Sequence, residues 1–394
     1  MAKINRIAVI LPLSSAYDRH VYEGVINWMH ATRKVEIYSW PNLHFTPTVY
    51  ENVKERIPRF GISGILTDLW DIETARLLRK LRLPIVDIGG AWPARDAVSV
   101  HVDNHAVGRL AARHLLDKGL RHFAFCGPTI PLHCRQRREA FTSELGKAGF
   151  SCAAYEENIA SIPSSDAKEQ RLRDWLDALP KPVGILCWYD FWAIPVQSVC
   201  RRAGIHVPDE VALIGVDNDE LVCHELPVPL TSVDVGPMNI GFRAMELLDR
   251  IIRTGRSPRR HIVLPPGNVI ARQSSDLLAV QNPDVAEALR FIVASADQPI
   301  LVRDVLKEVP ISRRGLEFQF QKLFGRTPRQ QIQHVHVERA KMLLDKNDLS
   351  LAMIAERSGF KSQSAFTRVF RRFAHCTPGQ YRRQLLRPEP LGRR

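Results

Sequence analysis

Over the first 275 residues, short apolar runs alternate with stretches whose apolar positions recur every three or four residues. Ile7-Ala-Val-Ile-Leu11, Val35-Glu-Ile-Tyr38, Gly64-Ile-Leu66 and Pro84-Ile-Val-Asp-Ile88 read as strands, with helical patterns over 20–32 and 72–81 between them. The rhythm resumes with His122-Phe-Ala-Phe125, a helix over 137–148, Gly184-Ile-Leu-Cys187, Val211-Ala-Leu-Ile-Gly-Val216 and a helix over 238–254. Strands that alternate with helices predict parallel sheets covered on both faces. Two such series predict a two-lobed α/β domain.

After residue 283 the strand pattern stops and every periodic segment is helical. Val285, Leu289 and Ile292 share one face of a helix over 284–295, and a short helix over 302–308 ends at Val309-Pro310, because proline disfavours helical geometry in the residue before it. Ser312 then caps a helix whose stripe is Leu316, Phe320, Leu323 and Phe324. Thr327-Pro328 opens a long helix over 328–345, with Ile332, Val335, Ala340, Leu343 and Leu344 facing inward. The pattern repeats: a short helix over 351–358, the turn Gly359-Phe360-Lys361, then Ser362 capping 363–373 with the stripe Phe366, Val369, Phe370 and Phe373. A short helix, a tight turn and a capped second helix form a helix-turn-helix, here near 302–324 and again near 351–373. The chain is thus expected to hold a sensing domain over 1–275, a linker over 276–284 and an all-α domain over 285–394.

Charge sharpens this division. The 394 residues carry 55 basic and 42 acidic side chains, a net +13. From residue 281 onward there are 21 basic and 11 acidic side chains, so +10 of the excess sits in the last 114 residues. That asymmetry is the footprint of a nucleic-acid-binding module joined to something nearly neutral. No apolar run approaches the roughly 18 residues of a membrane span, and the first apolar run is too short for an export signal. Seven cysteines without a Cys-x-x-Cys pair point to reduced thiols. A cytoplasmic protein is expected, with no cofactor and no metal.

In open parallel sheets, ligands bind beyond the carboxyl ends of the strands. The polar residues there are Ser14, Ser15, Tyr17, Asp18 and Arg19; Thr67, Asp68 and Trp70; Gly89, Gly90 and Trp92; Arg135 and Arg137; Trp188 and Asp190; and Asp217, Asn218 and Asp219. Carboxylates, guanidinium groups and indoles on one cleft suit a small polyhydroxylated ligand, whose hydroxyls need paired donors and acceptors and whose C–H face packs on a ring. Asp103-Asn104 reads instead as the cap of a helix over 105–116.

The run Val102-Asp-Asn-His-Ala-Val-Gly-Arg-Leu-Ala-Ala-Arg-His-Leu-Leu-Asp-Lys-Gly119, with Phe123-Ala-Phe-Cys-Gly127, Val207-Pro-Asp-Glu-Val-Ala-Leu-Ile-Gly-Val-Asp217 and Leu230-Thr-Ser-Val233, resembles the ligand-binding domain of the LacI family. The resemblance covers about residues 4–275 and implies the periplasmic-binding-protein fold. It implies that Arg137 contacts the effector, although the Gly-aromatic pair that follows in the family is Ala140-Phe141 here. It implies that Asp217 binds sugar hydroxyls, and it places Asp190 in the family's Asn-Asp-x-x-Ala segment, read here as Tyr189-Asp190-Phe-Trp-Ala193. LacI proteins carry their helix-turn-helix before the first strand, where this chain has no room for one, so the DNA-binding unit is expected at the other end. There, Ile354-Ala-Glu-Arg-Ser-Gly-Phe360, Phe366-Thr-Arg-Val-Phe-Arg372 and Thr377-Pro-Gly-Gln-Tyr-Arg382 resemble the AraC-type DNA-binding domain.

On the first recognition helix, Arg313, Arg314, Glu317, Phe318 and Gln321 point away from the apolar stripe; on the second, Gln363, Ser364, Thr367, Arg368 and Arg371 do. Arginine and glutamine read guanine and adenine edges bidentately, and threonine meets a thymine methyl. Arg314, Gln363, Ser364, Thr367 and Arg368 are the base-reading candidates, with Lys361, Arg372 and Arg382 as phosphate contacts that position without specifying.

An enzyme is the competing class. His334-Val-His336-Val-Glu338 suggests a metal, but helix residues two apart lie on different faces. No phosphate-binding Gly-x-x-x-x-Gly-Lys and no Gly-x-Ser-x-Gly elbow occurs. A sugar-converting enzyme joined to a DNA-binding unit stays open as the alternative. The order of a LacI-like sensor before an AraC-like reader, with Ala16-Tyr-Asp-Arg19 and Ile214-Gly-Val-Asp-Asn-Asp-Glu-Leu221, resembles the regulators of xylose operons. That resemblance implies a transcriptional activator that responds to D-xylose or a related aldose. It also implies a homodimer on double-stranded operator DNA and contact with RNA polymerase.

Overall fold

The apolar runs of the first series form strands β1 (Asn5–Ile10), β2 (Val35–Ser39), β3 (Gly64–Thr67), β4 (Ile85–Asp87) and β5 (Val98–Val102). Those of the second form β6 (His122–Pro128), β7 (Cys152–Glu157), β8 (Val183–Cys187), β9 (Val211–Val216) and β10 (Thr231–Val233), and β11 (His261–Leu264) and β12 (Val269–Ile270) follow. The structure, a computed structural model, describes residues 5–32, 35–40, 47–69, 72–90, 98–128, 130–157, 166–256, 261–276, 283–345, 349–374 and 376–386. The chain divides into two compact units, one of residues 1–115 and 121–276, the other of 116–120 and 277–394. Of the linker expected over 276–284, residues 277–282 lie outside the described residues.

The first unit contains two six-stranded sheets, ordered β11-β5-β4-β3-β1-β2 and β12-β10-β9-β8-β6-β7. Every pairing is parallel except β10 with β12. The chain therefore crosses between lobes three times: after β5, after β10 and after β11. The central strands β3, β8 and β9 are buried along their whole length, as expected for strands covered on both faces. Each lobe has its own core, Ala8, Ile10, Val53, Ile65 and Leu78 in one and Ala124, Leu176, Ile185, Val196 and Leu213 in the other.

Several elements escape the apolar pattern. β7, Cys-Ala-Ala-Tyr-Glu-Glu, is an edge strand, where a hydrophobic run is not required. β10 is polar yet wholly buried, because its threonine and serine side chains are hydrogen-bonded inside the lobe. The helix Leu132–Lys147 starts at Leu132 rather than at 137, and it has almost no amphipathic stripe. Arg137 consequently lies inside the helix, not at its start.

The second unit is helical: Pro283–Ala294, Val302–Glu308, Arg313–Phe324, Pro328–Asp345, Leu351–Arg357, Gln363–Ala374 and Pro378–Leu386. Ser312, Ser350 and Ser362 each accept a backbone N–H three residues on, from Gly315, Met353 and Ala365. Two small cores result. Val285, Leu289, Ile292, Val305, Leu316, Phe320 and Ile332 form the first, and Val337, Ala340, Leu344, Ile354, Phe366 and Phe370 form the second. The helix Pro328–Asp345 supplies side chains to both, so it fixes one helix-turn-helix against the other.

Backbone contact fixes the first lobe's flank. A Cβ built on Gly24 would lie 1.9 Å from the Met238 carbonyl oxygen, and one on Gly241 would lie 1.9 Å from that of Val21. The helices Ala16–Thr32 and Pro237–Thr254 thus meet main chain to main chain, and neither can yield as a flexible side chain could. Gly241→Ala is expected to cost about 2–3 kcal/mol through overpacking. In urea denaturation the midpoint should fall at unchanged slope; an unchanged midpoint would refute the close contact.

Candidate effector cleft and DNA-reading surface

The first lobe presents side chains from the ends of β1, β3 and β4. Asp18, in the first turn of Ala16–Thr32, is 4% exposed and accepts the Ser15 hydroxyl at 2.6 Å. Tyr17 donates its hydroxyl to the Ile88 carbonyl at 3.0 Å. Asp87 accepts the backbone N–H groups of Leu69 at 2.9 Å, Gly89 at 3.2 Å and Gly90 at 3.1 Å. That carboxylate fixes the turn on which Gly89 sits. A Cβ on Gly89 would lie 1.8 Å from an Asp68 carboxylate oxygen, so only glycine lets Asp68 lie there.

The second lobe centres on Arg137, which is 6% exposed. Its Nε donates to Asn104 Oδ1 at 2.9 Å, and one terminal nitrogen donates to the Trp188 carbonyl at 2.8 Å. The other lies 3.8 Å from an Asp217 carboxylate oxygen. Trp188 stacks on His133 at 5.3 Å between ring centroids and meets Tyr189 edge-on at 4.7 Å. Its indole N–H is buried and has no acceptor among the described residues, and a donor left so costs roughly 1–3 kcal/mol unless a ligand or water accepts it.

Charges from both lobes feel one another. Burial, then Asp68, Asp217, Asp18 and Asp87, push the Tyr17 hydroxyl well above its ordinary range. Burial raises Asp217 to about 6; Arg137 pulls it down, while Asp18, Asp219 and Asp234 add to the rise. Burial, with the Asp217 charge, holds Asp190 well above the usual carboxylate range. Burial, reinforced by Arg137 and His101, keeps His133 neutral. The cleft is therefore rich in hydrogen-bond acceptors set around one guanidinium, an arrangement that receives O–H donors and returns N–H donors to a neutral polyol.

Several predicted residues have other partners. Arg19 is exposed and donates to the Leu13 and Ser14 carbonyls, at 3.1 and 2.9 Å. Asp190 is fully buried and accepts the Ser232 hydroxyl and the Asp219 N–H, each at 2.7 Å, so it holds the loop after β9. Asn218 Oδ1 accepts from Arg272 at 2.8 Å. Trp188 has one ring face covered by His133, and its buried N–H is without an acceptor among the described residues. Asp103 caps its helix through Ala106 N–H at 2.9 Å, but Asn104 orients Arg137 and is more than a cap. Trp70 and Trp92 lie outside the described residues. Nothing local in the sequence marks Asn104, His133 or Arg272 for these roles; Asp87, a carboxylate ending a strand before Gly89-Gly90, does carry a local signal.

In the second unit, Arg313, Arg314, Glu317, Phe318 and Gln321 are all exposed on Arg313–Phe324. Arg313 pairs with Glu317 at 3.1 Å. On Gln363–Ala374, Gln363, Ser364, Thr367, Arg368, Arg371 and Arg372 line one open concave surface with Thr377, and Lys361 is exposed just before that helix. Thr367 donates its hydroxyl to the Gln363 carbonyl at 2.9 Å, which leaves its methyl group free to meet a base. Arg382 differs from expectation: half-buried, it donates to the Leu349 carbonyl at 2.6 Å and braces the fold instead of standing ready for phosphate. His336 is buried against Phe360, at 5.5 Å, and burial lowers it to about 4.

A two-lobed α/β sensor carried on one chain with a paired helix-turn-helix unit defines an effector-responsive transcription regulator. Residues 6–104 match the XylR N-terminal domain, 112–275 the periplasmic binding protein-like domain and 305–384 a helix-turn-helix domain. The xylose operon regulatory protein of Haemophilus influenzae is 30% identical over 384 residues, covering 96% of this chain and 98% of that one. Its counterpart in Escherichia coli K12 is 31% identical over 390 residues, covering 96% and 97%. The solved structure of the xylose-binding transcription activator XylR aligns with a TM-score of 0.62 at 30% identity, over 97% of this chain and 98% of that one. The chain belongs to the family of xylose operon regulators. A cellobiose complex of the regulator CelR, at 20% identity and a TM-score of 0.58 over 70% of this chain and 86% of that one, shares the sensor fold.

The raised Asp217 sets a pH dependence. Its carboxyl holds a proton more tightly folded than unfolded, so its contribution to stability falls as pH rises from about 4 through about 6. Asp217→Asn removes that titration. In effector-free protein, unfolding free energies should shift toward the variant by up to roughly 3 kcal/mol between pH 4 and 7. A difference that stays constant with pH would contradict the assignment.

Proposed function

We propose that this regulator is an activator whose sensor binds D-xylose or a related aldose between its two lobes. The observation that carries the reading is that Asp18 and Asp68 of one lobe and Asp217 of the other all act electrostatically on Tyr17, with the thrice-engaged Arg137 against Asp217. Sugar hydroxyls donate to the carboxylates, Arg137 donates to a sugar oxygen, and the Trp188 N–H gains an acceptor. Asn218 and the turn at Gly89 complete the pocket wall. Closure follows from differential affinity, because a ligand that touches both lobes binds the closed cleft more tightly.

In this reading a homodimer carries the paired recognition helices to operator DNA and meets RNA polymerase there. The two helices of each subunit enter successive major grooves, about 34 Å apart. Arg314, Gln363, Ser364, Thr367 and Arg368 read bases, and Lys361 and Arg372 meet phosphates.

Calorimetry of the full chain against a panel of pentoses and hexoses tests the effector: D-xylose or a close aldose should bind, and Asp217→Ala should abolish the heat. Another sugar binding best would change the effector and keep the class; no binding by any aldose would overturn the reading. Arg368→Ala should weaken operator binding by about 1–3 kcal/mol and relax specificity at one base pair. Arg372→Ala should weaken all sequences alike and reduce the salt slope by about one. If Arg368→Ala impaired sugar affinity instead, the division of labour would be wrong.

A further inference from the structure

Two consecutive non-glycine residues at the cleft end of β9, Asp217 and Asn218, hold φ angles of 98° and 53°. Such backbone costs on the order of 1–3 kcal/mol per residue and persists only where the surroundings impose it. The Asp217 N–H donates to Val233 O at 3.0 Å, and the Asn218 N–H donates to Ser232 Oγ at 3.0 Å. The only side-chain hydrogen bond among the described residues that reaches the Asn218 carboxamide comes from Arg272, at 2.8 Å. Another terminal nitrogen of Arg272 donates to the Leu230 carbonyl at 2.9 Å.

Arg272 also opens the segment by which the chain leaves the sensor. Its N–H donates to Thr231 Oγ1 at 2.8 Å, and its carbonyl accepts that hydroxyl at 3.0 Å. Ser274 donates its hydroxyl to Leu213 O at 2.7 Å and accepts the Thr231 N–H at 2.9 Å. Ser275 meets Thr231 Oγ1 and His114 Nε2, each at 2.7 Å. Thr231, Ser274 and Ser275 are wholly buried. One polar network therefore joins the strained, cleft-facing loop to residues 272–276. After Asp276, the sequence continues toward the helix-turn-helix unit.

We propose that Arg272 is a positioning residue, holding Asp217 and Asn218 in their effector-facing geometry and coupling occupancy of the cleft to the exit segment 272–276. This rests on the effector reading above. A sugar that draws on Asp217 or Asn218 acts on a loop whose carboxamide cannot move without moving or releasing the guanidinium. The backbone of Arg272 is in turn pinned to Thr231.

Hydrogen exchange on the full chain, with and without saturating D-xylose, tests this alongside calorimetry. Arg272→Met keeps the apolar stem and removes the donors, whereas Arg272→Lys keeps a charge and a donor. In sugar-free Arg272→Met, amides 217–219 and 272–276 should exchange roughly tenfold faster, as loss of charge-assisted hydrogen bonds implies. Exchange in β1–β5 should stay as in the wild type. D-xylose affinity should fall about tenfold by the same argument, with Arg272→Lys intermediate in both readouts. In the wild type, D-xylose should slow both segments together.

Unchanged exchange at 217–219 in Arg272→Met overturns the positioning role. Protection by D-xylose that stops at 217–219 overturns the coupling. If no aldose binds the wild type, the effector reading and the coupling both fall, while sugar-free exchange still decides the positioning role. If Arg272→Met does not fold, Arg272→Lys and the wild-type response to D-xylose decide the same points.

Discussion

The sensor is organised around a guanidinium that has almost no water. Arg137 is 6% exposed, and a charge that far out of solvent must be met by acceptors on nearly every side. Asn104 and the Trp188 carbonyl supply two of these at hydrogen-bond distance, and Asp217 supplies a carboxylate slightly farther away. Each acceptor has its own structural requirement. Asn104 must start its helix at the crossover after β5, and the Trp188 carbonyl must lie just beyond the end of β8. Asp217 must take a backbone conformation that side chains ordinarily avoid. The fold itself meets each of these requirements.

The carboxylates divide by what they accept. Asp87 and Asp190 are engaged by the protein's own N–H and O–H groups and hold turns in place. Asp217 faces Arg137 at a distance that leaves capacity for another donor. Types of residue that look interchangeable in a sequence thus separate into those that build the cleft and those able to act in it. The DNA-reading unit shows the same division among its arginines: Arg368 and Arg372 line an open surface, while Arg382 braces a helix by bonding a carbonyl.

Much of the fold was legible wherever a pattern had one physical cause. The buried runs of β1, β3, β8 and β9 and the phenylalanine stripe of Gln363–Ala374 arise because each must bury a defined face. The serine caps at Ser312 and Ser362 could be read because capping is local. The start of Leu132–Lys147 could not: the buried charge of Arg137 among its apolar residues erases the amphipathic stripe that would mark its beginning. β10 was equally hidden, since its polar side chains are satisfied by residues some forty positions away.

The sequence by itself determined the two-part architecture and the concentration of positive charge in the last third. Those are properties of local periodicity, composition and motif. The tertiary structure alone decided that Asn104 orients Arg137, that Asp190 holds the loop after β9, and that Arg272 reaches Asn218. Each of these depends on a side chain meeting a partner 29 to 54 positions away in the chain. Such meetings are set by how strands are ordered in a sheet, and the local spacing of residues along the chain carries no record of them.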